Sequence, residues 1–151
     1  MSVIATPGQN DIISRLQRIQ NNAARLITQS KIRDHVTPIL SSLHWLPVKY
    51  QRQFKILTIV YNSLHGLAPV YLQKLLTEYK PSRTLRSQSK AVLQVPVCRT
   101  SKFRKRTFSS AAANLWNTLP LELREVDKFS NFKKLLKTHL FRLAYADCLE
   151  F

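Results

Sequence analysis

The sequence predicts a mainly α-helical protein: a single compact helical domain with a basic irregular segment and room for one short β-hairpin. Three observations predict it. Apolar residues step by 4, 3, 4, 3 along two long stretches, the spacing of one helical face. Glycine occurs only 2 times in 151 residues, too rarely for a sheet protein built on tight hairpins, whose turns favour Gly or Asn at positive φ. The chain is 44% hydrophobic, close to the globular norm, so it can bury a core despite its charge.

Taken in order, residues 1–10, with Pro7, Gly8 and small polar side chains, read as a disordered start. A helix is predicted over Asp11–Gln29, with Ile12, Leu16, Ile19, Ala23 and Leu26 on one face and Arg15, Arg18 and Arg25 on another. Thr37-Pro38 reads as N-cap and first helical residue of a short helix, Ile39–Leu43. His44-Trp45-Leu46-Pro47 then breaks the chain, with Trp45 and Leu46 as a hydrophobic plug. Val48–His65 is the strongest helix. Tyr50, Phe54, Leu57, Tyr61 and Leu64 form its stripe, and Ile56, Ile59 and Val60 widen the arc, which makes it the central element. Gly66 ends it as a left-handed C′ residue.

Pro69 restarts a helix through Leu76, with Tyr71, Leu72, Leu75 and Leu76 inward. Tyr79–Ser89 has no periodicity and reads as a loop. Ala91–Val97 reads as extended, half of a hairpin whose partner lies near Phe103–Phe108. Ser109–Asn117 is predicted helical, followed by a turn at Leu121–Arg124. Ser130 is the N-cap candidate for a last helix, Asn131–Tyr145. Phe132, Leu135, Leu136, Leu140 and Leu143 form its apolar face, and Lys133, Lys134, Lys137 and Arg142 lie largely off it. The helical domain thus spans residues 11–146, and residues 147–151 form a tail.

Charge is the loudest compositional signal. The chain has 24 Lys and Arg against 8 Asp and Glu, a net charge of +16. Such an excess points to a polyanion, with RNA or DNA first and an anionic membrane surface a distant alternative. No apolar run is long enough to span a bilayer, and residues 1–10 lack the pattern of a secretory signal. Between Tyr79 and Leu121 no acidic residue occurs. The densest piece, Lys102-Phe103-Arg104-Lys105-Arg106, has the composition of a nucleic-acid patch or a nuclear localisation signal. The candidate nucleic-acid-binding residues are therefore Arg15, Arg18, Arg25, Arg83, Arg86, Arg99, Lys102, Arg104, Lys105 and Arg106. Phe103 and Phe108, interleaved with these cations, anchor the segment or stack on bases.

Catalytic chemistry finds little support. The eight acids are mostly isolated, and Glu122, Glu125 and Asp127 stand beside Arg124 and Lys128 as a mixed-charge turn. Gly8 and Gly66 are too far apart for a phosphate loop. His35, His44, His65 and His139 have no metal-ligand spacing, and Cys98 and Cys148 read as reduced thiols. No enzyme activity, metal or cofactor is expected.

An ordered series of phrases carries a resemblance. It runs Leu16-Gln17-Arg18-Ile19-Gln20-Asn21-Asn22-Ala23-Ala24-Arg25-Leu26-Ile27, His35-Val36-Thr37-Pro38, Leu43-His44-Trp45-Leu46-Pro47-Val48 and Phe54-Lys55-Ile56. It continues with Leu64-His65-Gly66-Leu67-Ala68-Pro69, Tyr71-Leu72, Pro81-Ser82-Arg83, Leu85-Arg86-Ser87, Leu115-Trp116-Asn117-Thr118-Leu119-Pro120, Phe132-Lys133 and Leu136-Lys137-Thr138-His139-Leu140-Phe141. From about Leu16 to Leu143 this resembles the C-terminal, post-palm region of the open reading frame 2 polyprotein of non-LTR (LINE-type) retrotransposons of the CR1, L2 and Rex groups. The resemblance implies an accessory segment of a reverse transcriptase, not the polymerase. That family's catalytic carboxylates sit in a Tyr-Ala-Asp-Asp turn of the palm. Tyr145-Ala146-Asp147-Cys148 matches that turn for three residues only, at the wrong end of the chain.

On this reading the chain is a retrotransposon-derived, non-catalytic accessory domain that binds RNA or DNA, located in the nucleus or cytoplasm. The alternatives are a protein-interaction module that packs on a reverse transcriptase or another protein, and a truncated relic without selected function. The amphipathic Asp11–Gln29 helix favours the first of these.

Overall fold

The computed structural model describes residues 7–79, 92–96 and 107–146. Among them seven helices run in order: α1 Pro7–Thr28, α2 Val36–Ser42, α3 Val48–Leu64, α4 Val70–Gln73, α5 Phe108–Asn117, α6 Leu121–Arg124 and α7 Phe129–Ala144. The protein is mainly α-helical, as the apolar spacing predicts. No helix among the described residues is long and apolar enough to cross a membrane. Two compact units can be distinguished, Met1–Arg52 with Thr138–Phe151, and Gln53–Lys137, and the divisions fall inside α3 and α7.

The ends of α1, α2 and α3 share one device. Gln29, His44 and Gly66 all take positive φ, at 53°, 54° and 70°. After each, an amide reaches back five residues: Ser30 N to Arg25 O at 3.0 Å, Trp45 N to Leu40 O at 2.9 Å, and Leu67 N to Asn62 O at 2.8 Å. This is the long bond of a Schellman ending, which satisfies carbonyls the helix leaves over. Gly66 was legible because only glycine enters that region without strain. Gln29 and His44 carry the same turn with a Cβ.

α1, α2 and α7 start earlier than the sequence suggests. α1 opens at Pro7, so residues 7–10 are helical rather than disordered; proline is at home in a first turn, whose amides have no intrahelical partner. The same freedom puts Pro38 two residues inside α2, with His35 rather than Thr37 at the N-cap and no side-chain capping bond. Phe132 N bonds Lys128 O at 3.0 Å, so α7 starts at Phe129, and Ser130 lies inside it rather than capping it.

In the first unit, Ala24, Leu40 and Tyr145 are buried together, with Ile39, Trp45 and Phe141 packed against them. Trp45 and the buried Leu46 form the expected plug. The Tyr145 hydroxyl donates to Trp45 O, and that of Tyr50 to Leu143 O at 3.1 Å. The α2–α3 corner leaves backbone groups that α1 satisfies. Gln20 Nε2 donates to Leu46 O at 2.9 Å, joined there by Gln51 Nε2 at 2.7 Å, and Val48 N donates to Gln17 Oε1 at 2.9 Å.

In the second unit, Leu57, Val60, Tyr61, Trp116, Phe132 and Leu136 make the core. Tyr61 stacks on Phe132 at 4.3 Å between ring centroids, and its hydroxyl proton is shared between Val126 O at 2.8 Å and Asp127 O at 2.6 Å. α4 is only one turn long, and Tyr71 and Leu75, expected inward, are exposed. The chain leaves α4 early because Thr77–Tyr79 extend to pair with residues 92–94: Tyr79 N donates to Val92 O and Gln94 N to Thr77 O, both at 2.8 Å. The extended segment is thus real, but its partner is Glu78, before it in sequence. Phe108 opens α5 instead, and residues 103–106 lie outside the described residues. Asn117 completes the pairing. Its Oδ1 accepts from Leu93 N at 2.9 Å and its Nδ2 donates to Leu93 O at 2.8 Å, as a neighbouring strand would. Ile59, Leu135 and Leu143, expected on apolar faces, are exposed, so those faces are narrower than their composition.

Candidate nucleic-acid interface

α1 has three faces. The side that meets its own unit carries Gln17, Gln20 and the fully buried Ala24. At about 100° per residue, the Ile12, Leu16, Ile19, Ala23 and Leu26 stripe lies roughly a third of a turn away. The arginines lie on the third side. The apolar stripe read from the sequence is exposed at Ile12, Leu16, Ile19 and Leu26. The physical reason lies in the corner: Leu46 O and Val48 N need partners, glutamine side chains supply them, and Ala24 lets the backbone come close beside Leu40 and Tyr145.

The three arginines differ. The Arg15 side chain is 74% exposed and its Nε pairs with Asp11 Oδ2 at 3.4 Å, one helical turn away. Such a pair is weak in water, so the guanidinium remains competent to meet a phosphate. Arg18, also exposed, stands one turn on from Arg15. Arg25 is committed elsewhere. It is half-buried in the last turn of α1, and its Nη2 donates to Asp34 O at 3.2 Å. Asp34 Oδ2 in turn accepts from Lys31 N at 2.7 Å, so Arg25 holds the loop that follows α1. Arg83, Arg86, Arg99, Lys102, Arg104, Lys105 and Arg106 lie outside the described residues, as do Phe103, Cys98 and Cys148.

In the second unit, exposed Lys133, Lys134 and Lys137 occupy little more than one turn of α7. Lys133 Nζ sits 4.7 Å from the centroid of the Phe129 ring, a cation–π contact that steadies the side chain without neutralising it. These lysines were visible in the sequence as off the apolar face, and their spacing was the signal that could have added them to the candidate residues.

A cavity of about 200 Å³ in the second unit is lined by Leu64, His65, Glu78, Leu93, Trp116 and Arg124. His65 Nδ1 lies 2.9 Å from Tyr61 O, and its ring stacks on Tyr61 at 3.9 Å, so both fix the imidazole. Among the described residues no group of three or more His, Cys, Asp or Glu could hold a metal ion. Scans against protein-family models, curated proteins and solved structures find no match to this chain.

Proposed function

We propose that the chain is a retrotransposon-derived, non-catalytic accessory domain of the nucleus or cytoplasm that binds RNA or DNA through phosphate-led contacts. The observation that carries this reading is the charge balance. Even if each of the 8 carboxylates neutralised one cation, 16 positive charges would remain. Self-repulsion of that size destabilises a compact chain unless a polyanion relieves it. Arg15 and Arg18 on α1, and Lys133, Lys134 and Lys137 on α7, support the reading because they stand on exposed helix faces. The stretch with Arg83, Arg86, Arg99, Lys102, Arg104, Lys105 and Arg106, densest at Lys102–Arg106, adds seven further cations to the sequence with no acid among them.

The test is a salt series with labelled single-stranded RNA and duplex DNA. Affinity should fall steeply, by about 10³-fold or more between 50 and 200 mM salt if at least six phosphates are met. Reversing Lys102, Arg104, Lys105 and Arg106 together should weaken binding to every sequence alike and flatten the salt slope. An affinity that barely changes across the series sinks the proposal.

A further inference from the structure

The exposed stripe of α1 is a second, apolar surface that runs beside the cations. Ile12, Leu16, Ile19 and Leu26 are 60%, 48%, 65% and 81% exposed, with half-buried Ala23 between them. The helix is already anchored on another side, so this stripe is not a core face waiting for its own unit. Its steps of 4, 3, 4, 3 average 3.5 residues, the period of a seam that a second helix can follow without drifting off. The occupant that matches this period is a helix.

The charge beside the seam selects which kind. Arg15 borders the stripe and Arg18 stands next round the helix, while the one carboxylate on α1 is Asp11. A second copy of the chain would bring another +16 to the same place. An acidic partner would be drawn to it. We infer that the Ile12–Leu26 stripe of α1 docks an amphipathic helix of a protein partner, with leucine or isoleucine at heptad spacing and carboxylates on the flank that meets Arg15 and Arg18.

A synthetic three-heptad peptide serves as probe, with Leu at the seam positions and Glu beside them. Two control peptides replace the seam Leu by Ser, or the flanking Glu by Lys. Each is titrated by fluorescence anisotropy against the full chain and a Leu16→Ser/Ile19→Ser variant, whose fold is checked by circular dichroism. The Leu/Glu peptide should bind about tenfold or more tighter than either control, and the variant should lose that advantage. The same variant should keep the salt-dependent nucleic-acid binding of the unaltered chain, so this inference and the proposed function fail separately.

Three outcomes overturn the inference. In one, the Ser/Glu peptide binds as well as the Leu/Glu peptide, which means charge alone. In another, the unaltered chain dimerises in sedimentation while the variant is monomeric, which makes a second copy the occupant. In the third, anionic phospholipid vesicles bind the chain but not the variant while all peptides bind equally, which makes the surface lipid-seeking.

Discussion

α1 and α3 carry the same apolar rhythm and meet opposite fates. On α3 the stripe through Leu57 and Tyr61 is buried, with Val60 beside it. On α1 the stripe is exposed, and the helix docks through Gln17, Gln20 and Ala24 instead. Periodicity says that a face exists; it does not say which face a neighbour takes. Where a chain corner leaves a carbonyl and an amide without partners, two glutamines and an alanine outcompete four larger apolar residues. Where water is kept out, each of those backbone groups would cost about 1–3 kcal/mol if left unpaired.

The largest test of that contrast pairs Tyr61→Ala with Leu16→Ala. Tyr61 is fully buried, stacked on Phe132 and bonded through its hydroxyl, and its truncation should cost about 3–5 kcal/mol. Leu16 loses little, and its truncation should stay within about 0.5 kcal/mol. Denaturant midpoints measure both. Equal losses would mean that the α1 stripe is covered in solution.

The intermediate test strikes the contact that orients α1. Gln17→Ala leaves Val48 N without its acceptor at the start of α3, and should cost about 1–2 kcal/mol. Gln20→Ala should cost less, because Leu46 O keeps Gln51 as a donor. If the two variants unfold at the same midpoint as the unaltered chain, the amides do not set the orientation.

Helix positions were legible because they depend on neighbours in sequence. α3 and α5 lie within a residue of their predicted bounds, and Gly66 ends α3 as its conformational freedom predicts. What escaped reading depends on residues far apart. Leu93 pairs with Glu78 and is clamped by Asn117, 24 residues on, and nothing local to Ala91–Val97 announces either partner. The candidate site divides the same way. Composition named the cations and helical spacing placed Arg15 and Arg18 outward, but the use of Arg25 depends on a loop carbonyl nine residues away.

A smaller gain should come from the end of α1. Gln29 holds φ at 53° at an exposed position, where a side chain costs energy that glycine avoids. Gln29→Gly should raise stability by about 0.5–1 kcal/mol. His44→Gly should gain less, since the His44 ring also stacks near Phe141 at 5.9 Å. A thermal melt that leaves Gln29→Gly unchanged or lower would show that the left-handed turn carries no strain.

The smallest effect separates the units by pH. In the first unit, burial and then the Arg142 charge hold His139 below the usual imidazole range. Its stabilising contribution is complete above about pH 6.5, where imidazole is neutral in the unfolded chain as well. As pH falls the unfolded state takes up the proton first, and the contribution is lost as pH passes the folded-state value. In the second unit the sign reverses. Burial, and then Asp127, raise the Tyr61 phenol. Its contribution is complete below about pH 10 and is lost above it, because the unfolded chain releases that proton first. Stability measured from pH 8 down to 5 should therefore decline with a slope below one full proton, since His139 is half-exposed. His139→Gln should remove that decline and leave the alkaline limb untouched. An acid limb identical in the variant would assign the decline to the carboxylates instead.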